Sequence, residues 1–204
     1  MSFILKVIGK KKVLLGVLFL TILLFNNAAA SEKIDLSEKG KGPLVVYYSR
    51  SGKTRLVAKA ISEAMAADRI EIKSNKNRES GLGIFTCVLD QLLDRDDELQ
   101  ILFVDISKYD PIIIASPIWL HKLSSPVRTL IKSGLFQGKE VHLVLTYNGS
   151  QSDEDEKEMK DQISSCGTII KGLYKINTKN KEVNKIKQEA VKLLTDFDER
   201  LVKR

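Results

Sequence analysis

The chain has 204 residues, 43% apolar and 29% charged, the composition of one globular domain rather than of a disordered, collagenous or many-span membrane protein. Two cysteines and two histidines exclude a disulfide-dense scaffold and a cysteine- or histidine-rich metal centre. The formal charge of +7 owes four lysines to the first twelve residues, so it does not mark a nucleic-acid surface.

Those twelve residues carry Lys6, Lys10, Lys11 and Lys12 and no acid. Residues 13–25 are an apolar run broken only by Gly16 and Thr21, and 26–30 read NNAAA. A basic stretch, a short apolar stretch and a small-residue site form a secretory signal over 1–30. Retention as a membrane anchor is the rival reading, although the apolar run is shorter than the roughly 20 residues that span a bilayer. The expected location is therefore outside the cytoplasm, secreted or held on the outer face of the plasma membrane, with membrane contact only through this segment. Cleavage after Ala30 leaves a net charge of +3. Export permits a disulfide between Cys87 and Cys166, with two separate thiols as the alternative. Residues 31–42 are polar with two glycines and read as a linker, followed by a domain over 43–204.

Within the domain, strands and helices alternate. Residues 44–48 (LVVYY) form a continuous apolar run, as in a strand buried on both faces of a parallel sheet. From Thr54 onward Leu56, Val57, Ala60, Ile61, Ala64 and Met65 recur at helical spacing. A second strand is expected over 69–73 and a second helix along Ile84, Val88, Leu89, Leu92 and Leu93. The third strand, 111–115 (PIIIA), ends at Ser116-Pro117, and a helix with proline in its first turn follows over 126–133. Strands over 141–145 and 168–176 flank a helix over 153–163, and 184–202 is a closing amphipathic helix. Five strands alternating with helices predict a doubly wound α/β fold with a parallel sheet covered on both faces.

In such a sheet, ligands bind beyond the carboxyl ends of the strands. Three loops fall there. The first, Ser49-Arg50-Ser51-Gly52-Lys53-Thr54, offers hydroxyls, a glycine for close backbone approach and a helix N-terminus that favours an anion. It is not a P-loop, because Tyr47 stands where that motif needs glycine. The second, Ser116-Pro117-Ile118-Trp119, carries the only tryptophan; the third, 146–150, carries Tyr147, Asn148 and Gly149. An anion cradle beside two aromatic-bearing loops points to a planar, phosphorylated ligand.

Residues 45–54 (VVYYSRSGKT) and 109–129 (YDPIIIASPIWLHKLSSPVRT) resemble the phosphate loop and ring-contacting segment of the flavodoxin-like family, especially its short members. The resemblance implies a five-stranded flavodoxin-like fold and FMN as cofactor. Ser49, Arg50, Ser51, Gly52, Lys53 and Thr54 would lie around the phosphate and Trp119 would stack on the flavin. Ser116, Pro117 and Ile118 would line the ring, with Tyr147, Asn148 and Gly149 near its other edge. No catalytic side chain or metal is implied. Three features depart from the family: Lys53 replaces its asparagine, Leu120-His121 replaces a glycine-containing stretch, and the third loop lacks Gly-Gly. The implied function is electron transfer to or from a redox partner protein or small-molecule acceptor. An FMN-dependent reductase of quinones or other small molecules, or a flavin-free extracytoplasmic scaffold, is the alternative.

Overall fold

The computed structural model describes residues 42–76, 81–100 and 104–197. The signal or anchor expected over 1–30 and nearly all of the 31–42 linker lie outside these residues. The elements are β1 (Gly42–Tyr47), α1 (Lys53–Met65), β2 (Asp68–Glu71), α2 (Gly81–Leu92), β3 (Tyr109–Trp119), β4 (Lys122–Leu123), α3 (Ser125–Lys132), β5 (Glu140–Tyr147), α4 (Asp153–Ser165), β6 (Ile169–Asn177) and α5 (Val183–Lys192).

The sheet runs β2-β1-β3-β5-β6 with every neighbour parallel. This is the flavodoxin-like doubly wound order, with the direction of winding reversing between β1 and β3. Strand alternation divides the core in two. Leu44, Val46, Ile112, Ile114, Leu143 and Leu145 face α3 and α4 through Val127, Ile131, Met159 and Ile163. Val45, Ile113, Ala115, Val144 and Ile176 face α1 and α5 through Val57, Ile61, Ile186 and Ala190. The apolar runs of β1 and β3 are uninterrupted because both faces are covered.

Three local expectations change, and one open alternative is decided. Gly42 belongs to β1 and pairs with Tyr109 rather than ending a linker. β3 does not stop at Ala115: it continues through the expected loop 116–119 and turns back on β4, with Ile118 opposite Leu123 and Trp119 opposite Lys122. Pro117 fits there because its side of the strand carries the hairpin, where Ser124 N–H donates to the Pro117 carbonyl at 3.2 Å. The last helix ends at Lys192 and tightens into a 3₁₀ turn, Leu193–Asp196, which buries Leu194 and Phe197 as the helical pattern anticipates. No disulfide joins Cys87 and Cys166.

The orientation of α2 also departs from its pattern. Phe85, Leu92 and Leu93 are 64%, 69% and 54% exposed, whereas Cys87, Asp90 and Gln91 are buried. Polar bonds hold this face inward. Lys76 Nζ lies 3.1 Å from Asp90 Oδ2, Gln91 Nε2 donates to the Leu123 carbonyl at 2.7 Å, and Arg128 Nη1 donates to Gln91 Oε1 at 2.6 Å. Arg128, only 1% exposed, also donates to the Arg95 carbonyl at 2.8 Å. A buried guanidinium needs several acceptors: Gln91 on α2 and the Arg95 carbonyl in the turn that follows supply two, and Asp94 Oδ1 in that turn lies 3.5 Å from Nε.

Candidate functional site

A cleft of about 360 Å³ opens at the carboxyl ends of β1, β3 and β5, beside the point where the winding reverses. Its walls bring together Arg50, Ser51, Lys53 and Thr54 from the first loop, Pro117, Ile118 and Trp119 from the end of β3, and Tyr147, Asn148 and Gly149 beyond β5. Ten of the thirteen residues singled out from the sequence therefore share one cavity.

The other three are placed differently. Ser116 is fully buried and ties the hairpin: its Oγ lies 3.0 Å from Ser124 Oγ and donates to the Pro117 carbonyl. Gly52 caps α1 at φ 84°, a left-handed conformation that glycine adopts without a Cβ penalty. Ser49 lines a smaller cavity towards β2, with its Oγ buried and unpartnered.

The first loop has the chemistry of an anion site. Gly52 provides no side-chain cap for α1, and its first turn contains no acid. The leading N–H groups are thus left for a ligand, and the helix dipole favours negative charge there. α4 shows the contrast: Ser152 and Asp155 form a capping box, and Asp153, Glu154, Asp155 and Glu156 occupy its first turn. Thr54 Oγ1 lies 2.8 Å from Thr146 Oγ1 in a buried hydroxyl pair that joins the loop to the end of β5. Lys53 and Arg50 add positive charge, and none of the described residues lining the cleft is a carboxylate. Phosphate fits these groups; the unpartnered Ser49 hydroxyl is buried on the side of the other cavity and does not face the cleft.

The aromatic part lies on neighbouring strands. Trp119 packs edge-on against Tyr48, with ring centroids 5.6 Å apart and planes at 87°. Its indole is half-buried yet still contributes to the cleft wall. Tyr147 enters from the end of β5, where Thr178 Oγ1 donates to the Asn148 side chain at 2.7 Å and to the Tyr147 carbonyl at 3.3 Å.

The sequence placed the loop 146–150 on this edge but assigned no ligand contact to Thr146 or Ser150, and it missed Leu120, His121, Gln151 and Thr178 as cleft residues. Thr146 and Thr178 stand at or just beyond strand ends on this same edge, a signal that was available. Gln151 also lines the cleft, with its Oε1 buried and without a donor. His121 Nδ1 donates to Asp155 Oδ2 at 2.9 Å. The Asp155 carboxyl sits below the usual carboxylate range, chiefly because the Ser152 N–H donates to it, with His121 adding to the effect.

Fold and cleft together define a flavodoxin-like α/β protein with a cleft at its topological switch point. No protein-family model matches the chain, and no curated protein sequence is similar to it. Solved structures are similar. A candidate flavoprotein from Bacteroides uniformis has a TM-score of 0.61 at 27% identity, covering 74% of this chain and 98% of that one. A flavoprotein from Lactobacillus acidophilus, solved in its apo form, has a TM-score of 0.54 at 26% identity over 72% of this chain and 97% of its own. A flavoprotein from the same organism, crystallised in complex with FMN, has a TM-score of 0.57 at 24% identity over 66% and 93%.

Proposed function

We propose that the protein is an exported FMN-binding flavoprotein that carries electrons to or from a redox partner protein or a small-molecule acceptor. The observation that carries this reading is the joining, in one cleft, of an uncapped, acid-free helix N-terminus with Trp119 and Tyr147. The similar structures described as flavoproteins support it.

In this reading the N–H groups at the start of α1, with Ser51, Thr54 and Lys53, hold the FMN phosphate. Arg50 adds charge at the same end. Trp119 and Tyr147 pack the flavin ring and exclude water. When bound, FMN supplies one- and two-electron chemistry. No nucleophile or general base is required of the chain. Its residues bind, orient and shield.

Export rests on residues 1–30; among the described residues no helix is long and apolar enough to cross a membrane. Two experiments test the reading. Adding FMN to the purified protein should give a bound-flavin absorbance spectrum with quenched flavin fluorescence. Absence of binding at excess FMN refutes the electron carrier and leaves a flavin-free scaffold. N-terminal sequencing of the mature protein should begin at Ser31, and recovery of the intact chain from the cytosol refutes export.

A further inference from the structure

The tip of the β3–β4 hairpin is an unusual turn. Two-residue hairpin turns with both central residues at positive φ are normally built from asparagine, aspartate and glycine. Here the positions are Leu120 (φ 46°) and His121 (φ 67°): histidine enters the left-handed region more readily than most residues, but leucine does not. The hairpin base is firmly bonded through Ser116, Ser124 and Gln91. The tip, where Leu120 is 47% exposed, is tied to another element by the His121–Asp155 bond, which reaches 34 residues along the chain to the start of α4. Trp119 immediately precedes this turn, and Trp119, Leu120 and His121 all line the cleft.

We propose that His121 is a positioning residue: held by Asp155, it fixes the hairpin tip and thereby places the Trp119 indole in the cleft wall. Asp155 serves two purposes with one oxygen, since Oδ2 accepts both the Ser152 N–H that closes the α4 cap and His121 Nδ1. The arrangement compensates within this chain for a turn that lacks glycine. As it concerns ring placement, the inference rests on the flavin reading; as it concerns Trp119, it stands without it.

Trp119 is the chain's only tryptophan, so its emission reports the tip directly in protein without FMN. His121→Ala should shift that emission to the red and raise acrylamide quenching about twofold. It should also weaken FMN binding about two- to fivefold, the range expected for one exposed charged contact. His121→Asn keeps a donor at similar reach and tolerates positive φ, so it should restore the wild-type emission. His121→Gly relieves the backbone but removes the donor and should behave like alanine. Ser152→Ala removes the cap while leaving the His121–Asp155 bond, so it should lower Tm without moving the emission.

Wild-type emission and quenching in His121→Ala overturn the proposal. So does wild-type behaviour in His121→Gly, which would assign the effect to turn strain instead. If the wild-type protein binds no FMN while the tryptophan readouts follow this order, the flavin reading fails and the positioning role stands.

Discussion

Replacing Thr54 with valine keeps the shape of the side chain and removes one hydroxyl. Thr54 and Thr146 are 2% and 3% exposed, and their oxygens are 2.8 Å apart, so each is the other's partner where water is scarce. Either single Thr→Val change loses a bond and strands the remaining hydroxyl, which costs about 1–3 kcal/mol. The double variant strands nothing, and its cost should fall short of the sum by about 1 kcal/mol or more. For a domain of this size each kcal/mol moves Tm by about 2–4 °C, and urea unfolding followed by circular dichroism resolves the coupling.

The same pair bears on ligand binding. When Thr146 donates to Thr54, the Thr54 hydrogen is free to point at an anion over the start of α1. Thr54→Val should therefore weaken FMN binding about 10- to 150-fold, the loss of one hydrogen bond to a charged group. Thr146→Val, which removes only the orienting partner, should cost about threefold. FMN titration by fluorescence quenching measures both. Additive single-mutant stabilities would refute the buried bond, and unchanged affinity in Thr54→Val would refute the phosphate site.

Trp119→Ala should remove about 0.5–1.5 kcal/mol of stacking from FMN binding and restore part of the bound flavin's fluorescence; a still-dark flavin would show that the indole does not face the ring. Arg128→Met should cost about 2–4 kcal/mol in urea unfolding, because Gln91 Oε1 and the Arg95 carbonyl lose their donor, and Arg128→Lys should not rescue it, lacking the fork. His142, stacked 4.4 Å from Phe197, has its pKa lowered by burial first and by the Lys171 charge second. The unfolded chain therefore takes up the proton first: this part of stability is complete above about pH 6.5 and declines as pH falls from there to the lower folded value. His142→Phe should flatten that acid-side slope in urea midpoints. Serine at Phe85, Leu92 or Leu93 should each change stability by no more than about 0.5 kcal/mol, despite their apolar character, because the α2 face they form is already solvated.

What the sequence showed, and what it hid, divides along the range of the interactions. Residues 44–48 and 111–115 read as strands because burial on both faces leaves a local mark, and the Pro126 helix start is local chemistry too. The first loop was legible for the same reason: glycine, hydroxyls and a helix start lie within six consecutive residues. The hairpin beyond Ala115 left no such mark, since Leu120-His121 lacks the Asn-Gly that advertises a turn with positive φ. The exposed face of α2 was hidden for a different reason. Its apolar spacing indicates an inward stripe, but Lys76, Arg128 and the Leu123 carbonyl engage Asp90 and Gln91 from as far as 37 residues away. Partnering a buried guanidinium competes on equal terms with burying the exposed leucines, because an unpartnered buried charge costs several kcal/mol and each leucine about 1.5–3. Periodicity records only the second quantity. The cleft shows both sides of this division: the loops that form it were readable one at a time. What joins them is the Thr54–Thr146, Thr178–Asn148 and His121–Asp155 pairs, each made by two ordinary polar residues whose significance exists only once the strands are side by side.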